Sequence, residues 1–240
     1  DPINFMMALD EFDKSECGNK WRDESNVNVS LWALRGSGSS THFILVSYEN
    51  WDQFDGEFGH LFYDQSFSHY LLRVEYRFFG NQAPNGPAWA FRNNGMMIHS
   101  QDPATMSLNQ EFPVSIESQF LGGNGTEPRS TANVCTPGTN MTIKGDLITQ
   151  HCTNSNSATF HGDQWVSVEM EVRGSDSLIH RVNGNSVFEL QNIQLDETDS
   201  DAKILLEKGA DLFLKEGYVA LQAESHPTQF RKIQIKILDK

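Results

Sequence analysis

Basic residues are scarce in this chain. Its 240 residues carry 18 Lys and Arg against 32 Asp and Glu, a formal charge of -14. A protein that neutralises nucleic-acid phosphates or lies on an anionic membrane needs clustered Lys and Arg, and here they are scattered. Neither partner is expected. No apolar run approaches the roughly 20 residues that span a bilayer, so no membrane-inserted helix is expected. There is no Gly-x-Ser-x-Gly elbow to present a nucleophilic serine, and no glycine-rich loop ahead of a helix to cradle phosphate. A helical apolar period is also nearly missing.

Cysteine is scarce as well: Cys17, Cys135 and Cys152 are all there is. Without a Cys-x-x-Cys or a matching histidine pattern, a zinc site has no support. If Cys135 and Cys152 are bridged, the closed loop adds about 3 kcal/mol by chain-entropy arithmetic. Such a bridge implies an oxidising compartment and leaves Cys17 over. The alternative is three buried thiols. The sequence opens on Asp1 rather than Met, which predicts a trimmed chain whose targeting segment lies outside it. Together these features predict export to the periplasm or surface of a bacterium.

What is present is alternation. Side chains two apart on a strand share a face, and Leu72, Val74 and Tyr76 separate from Arg73, Glu75 and Arg77 within a strand over 69–79. Val114, Ile116, Ser118 and Phe120 separate from Ser115, Glu117, Gln119 and Leu121. Val166, Val168, Met170 and Val172 form an inward row, and Asn183-Gly184 is a hairpin signal. Near the C-terminus Val219, Leu221 and Ala223 oppose Tyr218, Gln222 and Glu224, and Ile233, Ile235 and Ile237 make an apolar row. These strands predict an all-β sandwich or jelly roll. Hydrophobic residues at 38% with 16 Phe can fill its core.

One domain over 1–240 is expected, since no linker interrupts it. Residues 1–26 read as an irregular segment laid across the sandwich. Residues 51–63 read as an aromatic-rich loop. Residues 122–160 read as a long insert pinned by the cysteines. The acidic stretch 196–201 puts Asp201 where an EF-hand loop requires Gly, so it is expected to be a solvated loop. A short helix is expected over 203–214.

The candidate site residues lie at strand ends: Glu75, His99, Glu117, Gln119, Gln222, Glu224 and His226, with Arg92, Arg129, His151 and His161 on neighbouring loops. Jelly rolls place sugars where polar groups and aromatic platforms meet on one sheet. Trp32, Trp51 and Trp89 are either such platforms or core. The Glu-x-Asp-x-Glu trio of retaining jelly-roll glucanases is not matched, because Glu169-Met-Glu171 lacks the middle Asp.

Several elements resemble the 3-keto-disaccharide hydrolase domain family. They are Tyr70-Leu-Leu-Arg-Val-Glu-Tyr-Arg77, Asn94-Gly-Met-Met-Ile-His99, Ile116-Glu-Ser-Gln-Phe-Leu121, Gly162-Asp-Gln-Trp165, Val182-Asn-Gly184 and the closing Leu221-Gln222…Phe230-Arg-Lys-Ile233. The resemblance implies a concanavalin A-like jelly-roll sandwich of two antiparallel sheets. It also implies cleavage of 3-keto-glycosides, oligosaccharides or small glycosides, by proton abstraction at C2, elimination and hydration. That chemistry needs a base, an enolate stabiliser and an acid for the leaving oxygen. Glu117 or His226 is the expected base and Glu224 or His161 the acid. His99, Arg92 or a bound divalent cation would stabilise the enolate. Two other readings stay open: a non-catalytic lectin-like carbohydrate-binding module, and an ordinary glycosidase on unoxidised glycans. The latter requires two carboxyl groups about 5 to 9 Å apart.

Overall fold

The structure is a computed structural model that describes residues 3–4, 32–36, 43–49, 51–56, 58–107 and 110–239. Sixteen strands among these residues pair antiparallel into two sheets. The larger sheet runs β10 (Asp146–Ile148), β9 (Thr139–Ile143), β14 (Asn185–Leu195), β13 (Ser177–Val182), β12 (Val166–Arg173), β5 (His69–Phe78), β16 (Thr228–Ile237), β3 (Phe43–Ser47) and β2 (Trp32–Gly36). Strand β1 (Ile3–Asn4) adds to β16. The smaller sheet runs β11 (Cys152–Thr153), β8 (Asn133–Cys135), β7 (Ile116–Leu121), β6 (Asn93–Ser100), β15 (Tyr218–Ala223) and β4 (Gly59–Phe62). This is the expected jelly-roll sandwich.

Alternation builds it. Strand β12 buries Val166, Val168, Met170 and Val172 against Tyr70, Leu72, Val74, Tyr76 and Phe78 of β5. From the other sheet come Met96, Ile98, Ile116, Phe120, Val219, Leu221 and Ala223. Each large apolar side chain fully buried this way contributes about 1.5–3 kcal/mol. The outward rows are charged. Arg181 bridges Glu169 and Glu171 across β13 and β12, so the Glu-Met-Glu pair is an ion-pair ladder on the outside of the larger sheet. Asn183 and Gly184, at φ +48° and +84°, close the β13–β14 hairpin as expected.

Several expectations need correction. The aromatic-rich stretch 51–63 contains β4, which pairs with β15 through His60 opposite Gln222. The insert 122–160 contributes β8 to β11, two strands to each sheet. The helix, α1 (Ser200–Glu207), starts and ends earlier than expected. Its N-cap is Asp199, whose carboxylate accepts from the backbone N–H of Asp201 and Ala202, and Gly209 at φ +94° follows its end. The acidic stretch is thus partly a helix start. In β16 the register shifts between Arg231 and Gln234, and Ile237 leaves the apolar row for solvent. Apart from Ile3–Asn4, residues 1–26 lie outside the described residues, as do Cys17 and the side chain of Trp32. No helix among the described residues is long and apolar enough to cross a membrane.

Candidate active site

The outer face of the smaller sheet carries the polar rows of β7 and β15, which flank β6. Glu117 and Gln119 come from β7, and Gln222 from β15 with Glu224 just past its end. Loops and strand edges close over this face and leave a cavity of about 380 Å³ lined by Glu117, Gln119, Glu224, Asn93, Arg129 and Trp89, with Phe112, His151 and the disulfide at its side.

Gly95 of β6 lies between the two rows. A Cβ placed there would lie 2.6 Å from Glu117 Oε1 and 2.8 Å from Gln222 Oε1, so both side chains lean across a strand that has no side chain of its own at that point. The space is the reason for glycine here.

These groups are buried and unpartnered. Glu117 Oε1, Glu224 Oε2, Asn93 Oδ1 and both amide atoms of Gln222 lack any hydrogen-bond partner. A buried polar group left this way costs about 1–3 kcal/mol. Burial raises the Glu117 carboxyl to about 8. Burial also holds Glu224 well above the usual carboxylate range; the Glu117 charge adds to this and the Arg129 charge opposes it. A charge on either carboxyl therefore opposes ionisation of the other.

Arg129 is fixed by the backbone: its guanidinium donates to the carbonyls of Phe91, Gly122 and Arg92. It brings one cation to the cavity wall. Trp89 is half-exposed and begins an aromatic run, 5.6 Å from Phe58, which is 5.1 Å from Phe112. The Cys135–Cys152 disulfide is present and ties β8 to β11 where they pair. It also places the His151 loop at the cavity edge. Gln119 accepts from Asn133 Nδ2 at 3.1 Å.

The remaining candidates lie elsewhere. Glu75 points outward from the larger sheet and is held by Arg231 at 2.7 Å and Lys232 at 2.8 Å. His99, at φ +49°, turns between the sheets, where Nε2 meets the Gly174 carbonyl at 2.9 Å and burial lowers its pKa to about 4. His161 is exposed and accepts from the Gly125 N–H at 3.0 Å. Arg92 pairs with Asp163 at 2.7 Å and donates to the Gly162 carbonyl. His226 is separated from Glu224 by Ser225 at φ +88°, which turns its ring away to sit edge-on between Phe78 and Phe91. Burial, aided by Arg92, lowers its pKa to about 4. Trp51 packs on Tyr48.

Asn93, Phe112 and Gly95 were not singled out from the sequence. A glycine inside a strand pattern signals close approach by a neighbour, and Gly95 could have been read that way. Among the described residues, no group of three or more His, Cys, Asp or Glu side chains is placed to hold a metal ion.

Two antiparallel sheets with an aromatic-edged polar cavity on one of them put the chain in the jelly-roll class of sandwiches. Within that class, the family model described as 3-keto-alpha-glucoside-1,2-lyase-like domain matches residues 11–236, and the chain belongs to this family. No curated protein matches it significantly. Among solved structures, one from Parabacteroides distasonis ATCC 8503, provisionally named a glycosyl hydrolase, aligns with TM-score 0.52 at 14% identity, covering 89% of this chain and 93% of its own. A second from the same organism, named likewise, aligns with TM-score 0.49 at 17% identity, covering 88% and 85%. The first likeness is one of fold.

Proposed function

We propose that the cavity cleaves the glycosidic bond of a 3-keto-glycoside, with Glu117 as base, Glu224 as acid and Arg129 as the cation facing the enolate. The observation that carries this is the convergence of two buried carboxyls, both held above the usual carboxylate range, within one cavity.

A ketone at C3 acidifies the C2 hydrogen. Glu117, as carboxylate, takes that proton, and the electron pair moves onto the C3 oxygen as an enolate opposed by Arg129. Re-formation of the C3 carbonyl makes the C1–C2 double bond and expels the glycosidic oxygen, which takes the proton of Glu224. Water then adds at C1, giving its proton to Glu224, and Glu117 returns its proton to C2. The products are an alcohol and a free 3-keto-sugar, and both carboxyls are reset. The Gln222 amide and Asn93 Oδ1 are left for sugar hydroxyls, while Asn93 Nδ2 donates to the Trp89 carbonyl.

Two nearby carboxyls also suit an ordinary glycosidase. The family match, together with the unmatched Glu-x-Asp-x-Glu trio, favours the keto substrate over an unoxidised acetal. The disulfide supports work in an oxidising, exported location.

The test is to incubate the protein with methyl 3-keto-glucoside and with unoxidised glycosides, following release of free sugar by chromatography. Release from the keto substrate alone, lost in Glu117→Gln, is expected. Hydrolysis of the unoxidised glycoside would assign an ordinary glycosidase, and saturable binding without any product a carbohydrate-binding module.

A further inference from the structure

A second cavity, of about 470 Å³, adjoins the first, and its walls come from Gln110, Thr139, Thr149 and the start of α1. The two share Phe112, Pro137 and His151. A glycoside with its reacting ring in the first cavity would extend its other half past these shared residues into the second.

The second cavity differs from the first in charge. Glu111, Asp196, Asp199 and Asp201 line it, and no Lys or Arg does. Two of these carboxylates are already engaged: Asp196 accepts from Thr198, and Asp199 caps α1. Their oxygens are therefore fixed in place, while Glu111 is exposed and Asp201 is partly buried. Thr149 supplies an exposed hydroxyl and Phe112 an apolar face, while the Thr136 and Thr139 hydroxyls donate to the His151 and Ser115 carbonyls. A ligand carboxylate, sulfate or phosphate placed here would face four like charges, with Lys203, which acts on Asp196 and donates to the Thr198 carbonyl, standing outside the lining.

We infer that this second cavity is the subsite for the leaving half of the glycoside, one that accepts a neutral or protonated amino sugar and rejects an anionic one. The inference rests on the proposed reaction and adds what that reaction leaves open, the chemistry of the group that departs.

The experiment compares kcat/KM for three 3-keto-glucosides that differ only in the leaving sugar: glucose, glucosamine and glucuronic acid. The amino sugar should exceed the uronate roughly tenfold at low salt, with glucose between them, and the ratio should shrink as salt is added. The double variant Glu111→Gln, Asp201→Asn should bring the ratio toward one, and a circular-dichroism melt checks that it is folded. Equal kcat/KM for the three substrates, or an unchanged ratio in the folded variant, overturns the subsite while leaving the proposed reaction standing. If none of the three is turned over, the reaction fails instead, and calorimetric binding of the same compounds decides the subsite. Tighter binding of the amino sugar than of the uronate then supports it, and equal or absent binding overturns it.

Discussion

Replacing Glu117 by Gln should stabilise the protein, and by an amount that grows with pH. Gln keeps the shape of the side chain and removes the charge. In the folded chain burial moves the Glu117 carboxyl from 4.5 to about 8; in the unfolded chain it titrates near its ordinary value. The raised group contributes its full stability below about pH 4.5, because both states are then protonated. As pH rises from there the unfolded state releases a proton that the folded state keeps, and stability falls until the folded carboxyl ionises near 8. At 1.36 kcal/mol per unit, that interval is worth about 4 to 5 kcal/mol. Loss of the Glu117 charge also relieves Glu224, whose pKa that charge helps to raise, so the second effect has the same sign. The assay is urea unfolding of both proteins at pH 5 and pH 8.5. The variant should gain less than about 1 kcal/mol at pH 5 and several at pH 8.5, while losing turnover of the keto substrate. An equal gain at both pH values would refute the reasoning, because the Glu117 carboxyl would then not titrate differently in the two states.

Further outcomes follow from the same geometry. Gly95→Ala pushes aside Glu117 and Gln222, which are side-chain ends rather than backbone; thermal stability should hold within a few degrees while turnover falls about a hundredfold, read by steady-state kinetics. Breaking the disulfide by Cys135→Ser with Cys152→Ser, whose positions are 17 apart in sequence, should cost about 3 kcal/mol in a denaturant titration. Trp89→Ala, at a half-exposed site on the cavity wall, should leave stability within about 0.5 kcal/mol and weaken sugar binding by on the order of 1 kcal/mol, measured by calorimetry. His226→Phe removes two unpartnered ring nitrogens from an aromatic setting, so stability should hold or rise and turnover should survive; collapse of turnover with the fold intact would make His226 the base.

The sandwich was legible because its strands alternate. Inward rows such as Val166 to Val172 and Leu72 to Phe78 need only a period of two to be read. The same period placed Glu117, Gln119, Gln222 and Glu224 on polar faces; Glu117, Gln119 and Glu224 line the cavity, and Gln222 leans with Glu117 over Gly95. Alternation assigns a face but not a sheet. Glu75 obeys it fully and lies on the outside of the opposite sheet, under Arg231 and Lys232. Two histidines were misplaced because the count of two breaks beside them. His99 itself adopts φ +49°, and Ser225 at +88° precedes His226. Positive φ is uncommon for such residues and leaves no local mark in the sequence. Strand β4 was missed for a different reason: Gly59, His60 and Leu61 are all buried, so no polar residue marks an outward face. The helix was read late because Asp199 was taken as part of an acidic run rather than as a cap.

Buried groups without partners do not by themselves mark a site here. Ser47, Tyr70, Asn140 and Thr153 also carry unpartnered atoms, and they are dispersed through both sheets. What separates Glu117, Gln222, Glu224 and Asn93 is that three adjacent strands, β7, β6 and β15, direct them to one face, around a residue chosen for having no side chain. Each unmet group costs stability, and two like-charged carboxyls in one cavity add repulsion above pH 8. A sheet face selected only for stability would carry apolar side chains over Gly95, or a cation between the carboxyls. Arg129 could fill that second role, yet its guanidinium is tied to the Phe91 and Gly122 carbonyls and leaves Glu224 Oε2 without a partner. The fold therefore holds a cation and two carboxyls near one another without letting them neutralise, which is the arrangement a ligand with its own hydroxyl and carbonyl groups would complete.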